Sequence, residues 1–92
     1  MDIKNIFSGI QKHASDEIME NIIQTDQFKI ERIISRGHAT ADGEWYDQDK
    51  NEWVMVLKGS AGLLFEGNDK AVIMKTGDYI NIPAHRKHRV EW

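Results

Sequence analysis

Residues 77–88 read Gly77-Asp78-Tyr79-Ile80-Asn81-Ile82-Pro83-Ala84-His85-Arg86-Lys87-His88. Thr76-Gly77-Asp78 has the composition of a tight turn, and Tyr79 to Ile82 of a short strand. Pro83 ends that strand because it has no amide hydrogen to donate to a ladder. After a basic turn, His88, Val90 and Trp92 alternate along a last short strand. The same punctuation recurs on the N-terminal side. Glu52 to Leu57 is apolar on both faces after its first residue, which predicts a strand buried on both sides. Gly59 breaks it, and Leu63, Leu64 and Phe65 form the next strand. Gly67-Asn68-Asp69 favours a tight reversal, and Ala71 to Met74 returns. Short strands between glycine turns at near-regular spacing predict an all-β sandwich or barrel.

Upstream of Gly37 the pattern differs. Ile3, Ile6, Phe7 and Ile10 recur at helical spacing with Asp2 as a cap, predicting a short amphipathic helix over about residues 3–12. Ile18, Met19, Ile22 and Ile23 also suit a helix. The turn-like Thr25-Asp26-Gln27 and a second run from Phe28 to Ile34 favour a hairpin instead.

The 92 residues allow one domain and one thin core. No apolar run approaches the ~20 residues needed to span a bilayer. The start, MDIKNIFSGIQKHASDE, lacks the basic and continuously apolar pattern of a signal peptide, so the expected compartment is the cytoplasm. With no cysteine, disulfides, thiolate nucleophiles and sulfur-ligated metal sites are excluded. Twelve Lys and Arg against fifteen Asp and Glu give a net charge of −3, which argues against nucleic acid as a partner. Only His85-Arg86-Lys87-His88-Arg89 opposes this, as a polyanion contact or, more ordinarily, a solvated loop. No nucleophile elbow or phosphate-binding glycine loop is present.

Two segments carry the remaining chemistry: Gly43-Glu44-Trp45-Tyr46-Asp47-Gln48 through Glu52-Trp53 to Gly59, and Gly77 to His88. Here the chain resembles the cupin family of small double-stranded β-helix barrels. In the family's first motif two histidines separated by one residue precede a glutamate by three or four residues, and a glycine closes after six more. Glu52 and Gly59 match the glutamate and the glycine. In the second motif a glycine precedes a proline by six positions and a histidine follows that proline by five, as Gly77, Pro83 and His88 do. The resemblance covers about residues 28–92. It implies an all-β, jelly-roll barrel, which with the short N-terminal helical segment read from the residues makes one domain over 1–92. Within it lie an N-terminal segment at 1–14, a hairpin at 18–35, and the two motifs at 43–59 and 77–92.

The departures bear on function. Tyr46 and Gln48, or Trp45 and Asp47 under the longer spacing, stand where the family usually has its two histidines. His85 replaces the glycine usual two residues after the proline. The resemblance therefore implies a metal set of Gln48, Glu52 and His88, with Glu52 and His88 as catalytic acid or base and Trp45, Tyr46 and His85 as ligand-binding residues at the mouth. An oxygen and nitrogen set of this kind suits Mn, Fe, Ni, Co or Zn. The implied function is a small cupin that binds a divalent metal and a small polar organic ligand, as a metal-dependent enzyme of unassigned reaction. The alternative is a metal-free, non-catalytic ligand sensor or oligomerisation module, favoured by the loss of both first-motif histidines. Related cupins continue past the second motif with another strand. The open edge left after Trp92 leads us to expect that the hairpin or a second subunit covers it, and that the chain forms a homodimer.

Overall fold

The structure, a computed structural model, describes residues 1–10 and 17–92. Among the described residues the strands are β1 (Ile18–Gln24), β2 (Lys29–Ile34), β3 (Glu52–Met55), β4 (Ser60–Phe65), β5 (Val72–Lys75), β6 (Tyr79–Ile82) and β7 (His88–Val90). The protein is all-β, with no helix among the described residues. The chain divides into two compact units, Met1–Gly37 and His38–Trp92.

In the first unit β1 and β2 pair antiparallel from Ile18↔Ile34 to Gln24↔Lys29, with a register shift between Asn21 and Ile23. Thr25 closes the connection: its hydroxyl accepts from the amides of Gln27 and Phe28, each at 3.1 Å. Arg32 gathers the N-terminal segment, donating to the carbonyls of Ile6 and Ser8 while pairing with Glu20 at 2.8 Å.

Among the described residues 3–10, the helix expected over 3–12 is not formed. Residues 6–9 are a single turn, and residues 11 and 12 lie outside the described part, as does His13. Local bonds account for this. The Asn5 side chain takes the Phe7 amide, and the Asn5 carbonyl takes both the amide and the hydroxyl of Ser8. Gly9 then turns to a φ of +69°, which stops propagation.

In the second unit β3 pairs with β6, and β4 lies between β5 and β7, all antiparallel. Leu63, Phe65, Met74 and Ile82 form the buried core, with Val54, Val56, Ile80 and Val90 packed against it. Thr76 ties two turns together, its hydroxyl bonded to both the amide and the carbonyl of Gly59.

The strand at 52–57 is not buried on both sides. Val54 and Val56 face the core while Trp53, Met55 and Leu57 are exposed, because among the described residues only one face of the β3–β6 sheet is covered. An apolar run cannot distinguish these cases, since a side chain's hydrophobicity does not say what lies beyond it.

Beyond β7 the ladder continues: Gly62 donates to the Trp92 carbonyl and accepts from the Glu91 amide at 2.8 Å. A Cβ on Gly62 would fall inside the van der Waals envelope of the Trp92 ring. Gly62→Ala should therefore force the indole outward and destabilise the fold by about 1–3 kcal/mol, read as a lower urea midpoint with unchanged m-value.

Candidate functional site

The second unit brings the two motif segments together through main-chain bonds. Tyr46 and His88 exchange both backbone hydrogen bonds, at 2.7 and 3.1 Å. Further along, the His85 amide donates to the Gln48 carbonyl at 2.7 Å and the Ala84 amide to Asn51 Oδ1 at 2.9 Å. On the other side, Thr40 donates to the Val90 carbonyl and its hydroxyl accepts from the Val90 amide. Segment 40–51 is thus laid along Pro83–Val90, with little regular structure of its own.

His88 opens β7 and is 5% exposed, the one buried ionisable side chain among the described residues. It sits directly opposite Phe65 and shares its face with Val90, so it points to the core side. Its ring lies 6.0 Å from that of Phe65 and 5.7 Å from that of Tyr46. Its Nδ1 stands 2.9 Å from the Arg86 carbonyl. A carbonyl can only accept, so Nδ1 carries the proton and neutral His88 holds its lone pair on Nε2.

Glu52 opens β3 opposite Ile82 and shares its face with Val54, so it too lies on the core side of its sheet and is half-buried. Gln48 is exposed, and its carbonyl is occupied by His85. Trp45 does not join this group. Its ring lies 5.9 Å from the Arg89 guanidinium, and Arg89, adjacent to His88 in the strand, projects to the opposite face.

His85 takes a φ of +63°, the left-handed region, where it replaces a glycine of the resembled motif. Two contacts hold it there: its amide bond to Gln48, and Asp47 Oδ1 at 2.9 Å from its Nδ1. Asp47, which the longer first-motif spacing sets with Trp45 at the family's histidine positions, is instead the partner of His85. The available signal was its position between Tyr46 and Gln48, which sends its side chain the other way along an extended segment. Phe65, a strand residue by pattern, is also the aromatic wall beside His88.

The basic run does not form a free cationic face. His88 is buried, and Arg86 donates to the Glu66 carbonyl and lies over the Phe65 ring. Lys87 stands 3.8 Å from Glu66, and Arg89 contacts Glu91, Asp42 and the Thr40 carbonyl.

Among the described residues no group of three or more His, Asp or Glu side chains is placed to hold a metal ion. His88 by itself is held with Nδ1 bonded to a carbonyl, the form in which an imidazole can bind a metal through its other nitrogen.

The conformation of His85 makes a stability prediction. His85→Gly should leave stability within about 1 kcal/mol, since relief of the left-handed backbone offsets loss of the exposed hydrogen bond to Asp47. His85→Val should destabilise by more than about 1 kcal/mol, because a β-branched residue resists that φ. Paired urea titrations check both.

Comparison with known proteins adds the family. A family model described as the cupin domain matches residues 35–92. The chain is similar, at 43% identity and a TM-score of 0.94, to a crystal structure from Ralstonia eutropha JMP134 provisionally named a mannose-6-phosphate isomerase. That match covers 100% of this chain and 85% of the other. A cupin superfamily protein from Desulfitobacterium hafniense DCB-2, at 21% identity and a TM-score of 0.64, shares the fold over 88% of this chain and 71% of its own. No curated protein matches. With the matched domain spanning both motif segments and the bridge between them, the chain belongs to the cupin family.

Proposed function

We propose that this cupin binds a small polar organic ligand beside His88, together with a divalent metal held by His88, Glu52 and the amide oxygen of Gln48. The observation that carries this reading is the buried His88, whose Nδ1 is anchored on the Arg86 carbonyl. A buried imidazole fixed in this tautomer presents a directed lone pair, which a structural histidine does not require. Mn, Fe, Ni, Co or Zn suits the donor set. When bound, such an ion polarises a ligand carbonyl or activates water.

The remaining roles belong to side chains. Tyr46 supplies an aromatic wall 5.7 Å from the His88 ring. His85, oriented by Asp47, stands at the rim as a hydrogen-bonding group for the ligand. Glu52 serves as the carboxylate that accepts or returns a ligand proton. The name of the Ralstonia protein makes a phosphorylated sugar the first ligand to test on this chain, with proton transfer between neighbouring carbons as the reaction class. We further propose that the chain works as a homodimer.

A metal-free, non-catalytic reading competes, and the lack of a three-ligand cluster among the described residues favours it. One experiment separates the two. Purified protein is exposed in turn to Mn, Fe(II), Ni, Co and Zn, dialysed, and subjected to elemental analysis. We expect retention of at least one metal near one equivalent, lost in His88→Ala and Glu52→Ala variants that keep the far-UV circular dichroism of the parent. No enrichment with any of the five overturns the metal site. With the retained metal present, mannose 6-phosphate should raise Tm, and the His88→Ala variant should lose that rise.

A further inference from the structure

Arg86 is exposed and lies in a basic run, the ordinary setting of a solvated side chain, yet its guanidinium is held at two points. Its Nη1 donates to the Glu66 carbonyl at 2.8 Å, and its central carbon lies 5.2 Å from the centre of the Phe65 ring. Glu66 and Lys87 stand at the ladder position that follows Phe65↔His88. The Glu66 amide uses that position in the regular way, donating to the Lys87 carbonyl at 3.0 Å. The Glu66 carbonyl takes the Arg86 side chain, where the next backbone bond of the ladder would fall.

These contacts bear on the group that holds His88. The Arg86 carbonyl stands 2.9 Å from His88 Nδ1. The Arg86 amide closes a turn onto the Pro83 carbonyl at 3.1 Å, through the left-handed His85. Its guanidinium ties the same residue to the end of β4. Backbone on one side and side chain on the other, the two anchors set the direction of the Arg86 carbonyl. That direction matters because a neutral imidazole has two tautomers, and histidine in water favours the one protonated on Nε2. In that form Nδ1 would set a lone pair against the carbonyl oxygen, which can only accept. The carbonyl therefore keeps the proton on Nδ1 and leaves the Nε2 lone pair for a ligand.

We infer that Arg86 is the positioning residue of His88. Its guanidinium, seated on the Glu66 carbonyl and the Phe65 ring, aims the carbonyl that keeps the imidazole protonated on Nδ1. The consequence for a bound metal rests on the reading of His88 proposed above. The tautomer does not, because it is a property of the metal-free chain.

Nitrogen NMR on metal-free protein with isotopically labelled histidine reads the tautomer, at about pH 8.5, above the ordinary imidazole value of ~6.5. The parent should show His88 protonated on Nδ1. Arg86→Met, which keeps the apolar stem and removes the guanidinium, should raise the ratio of the Nε2–H to the Nδ1–H form several-fold. Arg86→Lys, which keeps a cation for the Phe65 ring and a donor for Glu66, should restore most of the parent ratio. Lys87→Met removes a charge 3.8 Å from the same glutamate and should leave the ratio unchanged. A parent protonated on Nε2, an unchanged ratio in Arg86→Met, or an equal change in Lys87→Met overturns the inference. Should Arg86→Met lose its strand circular dichroism, the parent decides. Distinct Arg86 guanidinium signals with cross-peaks to the Phe65 ring support the inference, and averaged signals without them overturn it. Elemental analysis is read separately: a ratio that rises in Arg86→Met while the parent retains no metal supports the positioning role and removes the metal reading alone.

Discussion

Tyr46 and His88 exchange two backbone hydrogen bonds, at 2.7 and 3.1 Å, and the arrangement of the second unit's site follows from that bridge. Segment 40–51 is held against Pro83–Val90 by main-chain groups and two polar side chains, Thr40 and Asn51. Without the bridge, Gln48 and Asp47 would not meet His85, and the Tyr46 ring would not meet His88. Main-chain bonds are indifferent to the side chain that a residue carries. This is the physical reason Tyr46 and Gln48 can occupy positions where related motifs place histidines while the architecture stays intact.

The position of His88 sets a second constraint. The core of this unit consists of four buried apolar residues, and His88 is buried opposite one of them, Phe65. A polar ring there is tolerable only if it is hydrogen-bonded. The Arg86 carbonyl two residues earlier supplies that bond from the same turn that Pro83 initiates. Satisfying the burial requirement and orienting the imidazole are therefore one event. Arg86 itself is steadied by the Glu66 carbonyl and the Phe65 face, so the turn, the core and the candidate ligand share their contacts.

Much of this was legible in residue order, and the misses have particular causes. Pro83 and the glycine turns marked the strand ends because they act through local backbone chemistry. Glu52 and His88 were identifiable from their spacing to Gly59 and Pro83. Residues 3–10 followed helical spacing yet formed a turn, because Asn5 and Ser8 offered the backbone shorter-range bonds and no covered face rewarded a helix. Trp45 and Tyr46 looked alike in sequence, but adjacent positions on an extended chain face opposite ways, and only Tyr46 meets His88. The pairing of Asp47 with His85 was not legible because the two lie 38 residues apart.

The order of residues by itself determined the all-β character, the turn positions and the family, since these depend on alternation, on the missing amide hydrogen of proline and on short fixed spacings. Tertiary structure alone decided which apolar residues are covered, which aromatic stands beside His88, and how His85 is held in a left-handed conformation. Each of these depends on what a distant segment brings to the same place, and a linear pattern carries no record of distance in space.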